Sequence, residues 1–211
     1  LEHFKKNPEI SGISKRINYL ASLFPSELHV FARPEIKTLK DLEGKTVNFN
    51  TVGTAAAYSG PIIFKQLGIK IDAQFIPHNV AMESMRKGEK KFAATFWISS
   101  KPLAPFLKGN FPPGFKFLPV EYSDKLEYYY PAYLESKDYP ALIPEGQRIE
   151  TIAVPAVLAV YDWPADTDRY NRVARLVDYI VDRFPRLQTE AGYHPKWKDV
   201  NLGAVLPENV G

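Results

Sequence analysis

The chain has 211 residues, 27 Lys plus Arg against 24 Asp plus Glu for a formal charge of +3, and no Cys. An apolar fraction of 45% and a charged fraction of 24% match packed domains, which excludes disorder, while the absence of Cys excludes disulfides, Cys-ligated zinc, iron-sulfur clusters and a thiol nucleophile. The longest nearly uninterrupted apolar run, Ile152 to Tyr161, is about half the roughly 20 residues of a membrane-spanning helix, and the small basic surplus is not the concentrated face that nucleic acid requires.

In chain order, the segment Leu1 to Asn7 lacks the apolar h-region of a secretory signal, so either a cytoplasmic protein or a processed or truncated chain is expected. Strands are predicted at Leu28 to Ala32, Thr46 to Phe49, Gln74 to Ile76, Ala93 to Trp97, Lys116 to Pro119 and Thr151 to Tyr161. Helices are predicted between them at Leu39 to Leu42, Pro61 to Leu67, Ala81 to Lys87 and Leu103 to Leu107. The alternation predicts an α/β fold on a largely parallel sheet. A further helix carries Tyr170, Val173, Ala174, Val177, Ile180, Val181 and Phe184 on one face behind capping candidates Asp166 and Asp168, and that stripe is expected to be core. The 18 prolines are spread along the chain, which indicates many element boundaries and no Pro-rich linker.

Catalytic patterns fail on spacing. Gly44-Lys45-Thr46 imitates the end of a phosphate loop, but Leu39 stands where its first Gly belongs and a strand follows. His3, His29, His78 and His194 form no pair on one helical turn, which leaves no metal site and assigns each to surface or core. There is no Gly-x-Ser-x-Gly elbow, no dinucleotide fingerprint, and no carboxylate inside an apolar run that burial would turn into an acid catalyst. The basic cluster Arg86 to Lys91 reads as a solvated helix end stopped at Gly88. No catalytic residue, metal or cofactor is assigned.

Two polar turns remain. After the strand Thr46 to Phe49, the segment Asn50-Thr51-Val52-Gly53-Thr54-Ala55-Ala56 leads small and hydroxyl residues into a helix, whose start offers N–H groups to a carboxylate, sulfonate or phosphate. After Ala93 to Trp97 comes Ile98-Ser99-Ser100-Lys101-Pro102, with Pro102 suited to a first helical position. Both turns leave the carboxyl ends of strands, the edge where open α/β sheets bind ligands. The expected ligand-binding residues are Thr51, Gly53, Thr54, Ala55, Ala56, Tyr58, Trp97, Ser99, Ser100 and Lys101, with Tyr58 and Trp97 covering the apolar part of the solute.

The stretch Glu27 to Ile36 followed by LKDLEGKTV (Leu39 to Val47) resembles the middle of the TAXI family of solute receptors, which serve tripartite ATP-independent periplasmic (TRAP) transporters. TIAVPAVLAVYDWP (Thr151 to Pro164) resembles the family's return strand, and His194-Pro195-Lys196-Trp197 with Val200-Asn201-Leu202 its C-terminal signature. The likeness runs from about Asn18 to Pro207. It implies a type II periplasmic-binding-protein fold: a lobe at 36–150, a second lobe from 1–35 and 151–211, and crossing strands at Leu28 to Pro34 and Ile152 to Tyr161. The implied function is that of a periplasmic receptor, not an enzyme, which binds a small organic anion such as a carboxylate and delivers it to membrane permease subunits.

Three departures accompany the likeness. The family's N-terminal third has no counterpart before Leu1, which leads to the expectation of an exposed sheet edge, weak solute binding and self-association. The family's Gly-Ser-Gly-Thr loop stands here as Gly53-Thr54-Ala55-Ala56, with Pro61 interrupting the expected helix, and the Gly of the second turn is Ser100, beside Lys101, which faces either ligand or solvent. The alternative reading is the ligand-sensing effector module of a transcription regulator, which uses the same fold.

Overall fold

A computed structural model describes residues 12, 16–108 and 110–204. Seven strands among them form one mixed sheet: β1 (Ile17–Ala32), β2 (Thr46–Asn48), β3 (Asp72–Gln74), β4 (Ala94–Ser99), β5 (Lys116–Leu118), β6 (Tyr130–Glu135) and β7 (Arg148–Tyr161). Four α-helices accompany them: α1 (Ala55–Leu67), α2 (His78–Arg86), α3 (Ala104–Leu107) and α4 (Asp168–Thr189). The strand order is β3-β2-β4-β1-β7-β6, with β5 also paired to β1. The expected α/β class is the one observed.

The sheet is not largely parallel, as the sequence suggests. β2 runs parallel to β3 and to β4, whereas β1 is antiparallel to both β4 and β5, and β6 to β7. Apolar runs report burial on both faces, and connections, not burial, fix strand direction. The chain divides into two compact units, 25–154 and 1–24 with 155–211, the divisions falling inside β1 and β7.

In the unit 25–154 alternate residues of each strand enter opposite layers. Leu28, Val30 and Ala32 of β1 join Val47, Phe49, Phe96 and Leu118 with Ile63 and Phe64 of α1 on one side. Phe31, Phe117, Leu134 and Tyr139 join Met82 and Met85 of α2 and Phe106 of α3 on the other. Thus α1 and α2, the crossovers on either side of β3 in the chain, cover opposite faces.

Helix α1 begins six residues before the expected start and contains Pro61. Proline removes one intrahelical bond, but packing holds the turn: a Cβ on Gly60 would lie 2.1 Å from Cδ1 of the buried Phe49. Phe49 in turn packs edge-on against Phe64 at 5.8 Å and against Phe96 at 5.1 Å.

In the other unit, α4 keeps its expected periodicity but not its burial: none of its residues is buried, and Tyr170 and Val181 are exposed. Val173, Val177, Ile180 and Phe184 are only half-buried, with Phe184 near Trp197 at 6.4 Å. A hydrophobic stripe specifies a side of a helix; the depth of its cover is set by other segments. The cap also differs from Asp166 or Asp168: the Thr167 hydroxyl oxygen accepts from Tyr170 N–H at 3.2 Å and donates to Pro164 O at 2.7 Å. Phe24 contacts both His194 and Trp197 rings, at 5.6 and 5.4 Å.

Gly60→Ala is therefore expected to destabilise the fold by about 1–3 kcal/mol in urea unfolding, because overpacking against Phe49 outweighs the gain in helix propensity. A variant of equal or higher stability would show that this contact does not hold α1 to the sheet.

Candidate functional site

The carboxyl ends of β2, β3 and β4 share one edge of the unit 25–154 because these strands are parallel. The chain leaves β2 toward α1 on one face and β3 toward α2 on the other, so neither crossover covers the end of β2. The loop between β2 and α1 needs two left-handed residues, Asn50 at φ 67° and Gly53 at φ 93°; asparagine tolerates this conformation and glycine adopts it freely. Thr54 then caps α1. Its hydroxyl oxygen accepts from Ala57 N–H at 3.3 Å and its hydrogen goes to Thr51 O at 2.9 Å. The first turn of α1 holds no acidic side chain, which leaves the positive end of the helix uncompensated there.

Gly53, Thr54, Ala55 and Tyr58, four of the expected site residues, line one concavity of about 540 Å³ together with Val52, Ala57 and Phe75. Its walls are mainly apolar: Val52, Tyr58 and Phe75 are all exposed, and Phe75 follows β3. Thr51 contributes its carbonyl to the cap, and Ala56 is buried in the core beneath α1.

The second turn is engaged differently. Ser99 is paired with Glu27 across β4 and β1, and buried Ser100 donates its hydroxyl to Pro25 O at 3.0 Å. The Lys101 N–H donates to the Glu27 carboxylate at 3.0 Å. Lys101 Nζ donates to Tyr133 O at 2.6 Å and forms an ion pair with Asp138 at 2.7 Å, with Glu135 at 3.8 Å. Helix α3 starts at Ala104, so Pro102 precedes it and is not its first residue. Leu103 N–H is fixed by the Tyr139 hydroxyl at 2.9 Å, and the same oxygen meets His29 Nε2 at 2.7 Å. Burial pushes the Tyr139 phenol well above its ordinary range, so it stays protonated. Two buried carboxylates, Glu27 and Asp138, belong to this network.

Trp97, on β4, is half-buried and donates its indole N–H to Thr95 Oγ1 at 3.0 Å. The His78 ring stacks on it with centroids 3.5 Å apart and planes 7° from parallel. His78 opens α2 and is 8% exposed; Asn48 Nδ2 lies 3.3 Å from its Nδ1, and its backbone N–H reaches Asn50 Oδ1 at 3.4 Å. Burial lowers its pKa from 6.5 to about 4. The sequence reading assigns His78 to surface or core, passes over Asn48, and includes Asn50 only as the first residue of the polar turn. The available signal was polar residues in and just after an otherwise apolar strand.

No family model matches the chain. It is similar to solved structures of solute-binding proteins, among them the arginine-bound form of truncated ArgBP from T. maritima, with 15% identity, 84% of this chain and 63% of that chain covered, and a TM-score of 0.41. ArtJ from Geobacillus stearothermophilus, an arginine-, lysine-, histidine-binding protein, gives 12% identity, 92% and 69% coverage and a TM-score of 0.46. An ABC transporter periplasmic binding protein from Brucella ovis with glutathione bound gives 11%, 88% and 51%, and 0.42. The chain thus spans 63% of the first of these and 51% of the last. All three TM-scores lie below 0.5, and the functional reading rests on the chain's own residues.

Two outcomes are expected. Asp138→Asn should cost about 2–4 kcal/mol in denaturant unfolding by leaving the Lys101 ammonium, 16% exposed, without its closest counter-charge, and Lys101→Met with Asp138→Leu should restore most of it. Acid should destabilise through His78: the unfolded imidazole takes a proton near 6.5 and the folded one only near 4, so its stabilising contribution is complete above 6.5 and is lost as pH falls toward 4. The loss is about 1–3 kcal/mol, and unfolding curves at pH 7 and 4.5 should converge more closely in His78→Phe than in the parent.

Proposed function

We propose that the chain belongs to an extracytoplasmic solute receptor of a TRAP-type secondary transporter, with a type II periplasmic-binding-protein fold, and that its unit 25–154 holds one side of the binding site for a small organic anion. The observation that carries this reading is the start of α1. A loop with two left-handed residues delivers the uncompensated positive end of the helix to an open strand edge, beside an apolar concavity of about 540 Å³. That volume suits a small molecule and not a macromolecule. Donors at the helix start favour a carboxylate or similar group, and Tyr58 and Phe75 offer aromatic surface to the rest of the solute.

The transporter class is supported by the family-like strings from Glu27 to Val47, Thr151 to Pro164 and His194 to Leu202. Permease subunits of that transporter are the proposed partners, and the periplasm the proposed location. Among the described residues no helix is long and apolar enough to cross a membrane.

The donors proposed for the anion are the Ala55 and Ala56 N–H groups, since the Thr54 hydroxyl is occupied in the cap. Ala55→Pro tests them with little disturbance. Ala55 is the first helical residue, where proline is tolerated, and Thr54 before it is already extended at φ −92° and ψ 158°. Calorimetry against acetate, benzoate, succinate, L-glutamate and L-arginine should find a carboxylate binder whose affinity drops by about 1–3 kcal/mol in Ala55→Pro at unchanged melting temperature. Preference for arginine's cationic group, or equal affinity in the variant, would overturn the assignment.

A further inference from the structure

The Asn48 side chain fixes the hydrogen-bonding state of His78. Its Oδ1 accepts from Ile76 N–H at 3.1 Å, so the amide turns its NH2 toward the imidazole, where Nδ2 lies 3.3 Å from Nδ1. An amide NH2 only donates, hence Nδ1 is the acceptor and the ring hydrogen resides on Nε2. Turning the amide over would set its NH2 against the Ile76 N–H. The tautomer is therefore locked by a backbone group of the β3–α2 connection.

The Nε2–H so defined has no acceptor among the described residues, although the residue is only 8% exposed. The sealed, unpartnered side-chain polar atoms among those residues are Arg33 Nη2 and Gln66 Oε1, so His78 Nε2, which has no partner either, is not sealed from solvent. The ring itself sits at the strand edge already described, stacked on Trp97 near the end of β4, with its backbone N–H joined to Asn50 just after β2. A structural histidine would have both ring nitrogens satisfied inside the fold, as His29 does: Nδ1 lies 3.0 Å from Glu27 O and Nε2 2.7 Å from the Tyr139 hydroxyl.

We propose that His78 is a solute-binding residue, its Nε2–H donating to an oxygen acceptor, carboxylate or carbonyl, of a small molecule held at the carboxyl edge of β2, β3 and β4. This rests on the reading of that edge as the binding site and adds to it a neutral donor. The stack on Trp97 and the Asn48 bond preorganise the ring, so little side-chain freedom is lost when the donor is used. Burial also keeps the imidazole neutral at ordinary pH, so the contribution is that of a directed hydrogen bond and not of a positive charge.

The test is nitrogen NMR of the full chain labelled in its histidine rings and backbone amides, with succinate and benzoate as probes at millimolar concentration. The free protein at pH 7 should show His78 as the Nε2–H tautomer; an Nδ1–H tautomer would overturn the proposal at once. A probe that shifts the Ala55–Ala57 amides and the His78 Nε2–H together, and whose affinity falls about tenfold in His78→Phe, supports it. A probe that shifts those amides but leaves Nε2 unmoved would overturn the role of His78 and leave the site reading standing. Silence at both positions with both probes would count against both. The wild-type titration gives its answer even where His78→Phe does not fold.

Discussion

The arrangement depends on two successive crossovers, α1 and α2, packing on opposite faces of the sheet around β2. A strand whose neighbours' connections depart to opposite sides has nothing laid across its carboxyl end. Everything polar that the fold places at that end, Asn48, Asn50, the capped start of α1 and the first residue of α2, gathers there because the backbone leaves a gap. The dense aromatic packing beneath, Phe49 with Phe64 and Phe96 on one side and Phe31 with Phe106 and Phe117 on the other, holds the gap open by making both layers rigid.

The two turns expected to share a ligand differ in kind. The loop from Asn50 to Thr54 ends in N–H groups and apolar surface, with its one capping hydroxyl already satisfied. The turn from Ser99 to Leu103 is cross-braced to β1, β6 and Tyr139 through Glu27, the Lys101–Asp138 pair and backbone acceptors. Lys101 looks like an anion ligand in sequence, yet its charge is spent within the protein. Its physical effect is to fix the geometry of the β4–α3 connection, with Trp97 held between Phe106 of α3 and His78.

The polar turn that leads into α1 was legible because small and hydroxyl residues after an apolar strand encode a turn directly. The first half of the helix was not, since Pro61 reads as a boundary, and only the three-dimensional approach of Phe49 to Gly60 explains why the helix continues through it. Pro25, midway along β1, hid a strand extending back to Ile17. Strand direction was illegible because burial patterns are the same for either sense. Burial of Glu27, Asp138 and His78 was hidden as well: a polar residue in sequence does not reveal whether a partner far along the chain, such as Lys101 or Asn48, will satisfy it. The stripe of α4 shows the converse: its helical period was legible, but the expected core burial is not found, since none of its residues is buried.

The adjacent Gly60 and Pro61 have a consequence in the unfolded chain. Glycine at 60 gives the disordered backbone extra freedom that folding must remove, a penalty of about 0.5–1 kcal/mol relative to alanine. Proline at 61 acts in the opposite sense, restricting the unfolded chain at the next residue by a comparable amount. The helix thus obtains the missing side chain that admits the Phe49 ring while the conformational entropy lost at one position is largely offset at its neighbour, and the pair is close to neutral in a comparison that no inspection of native contacts would reveal.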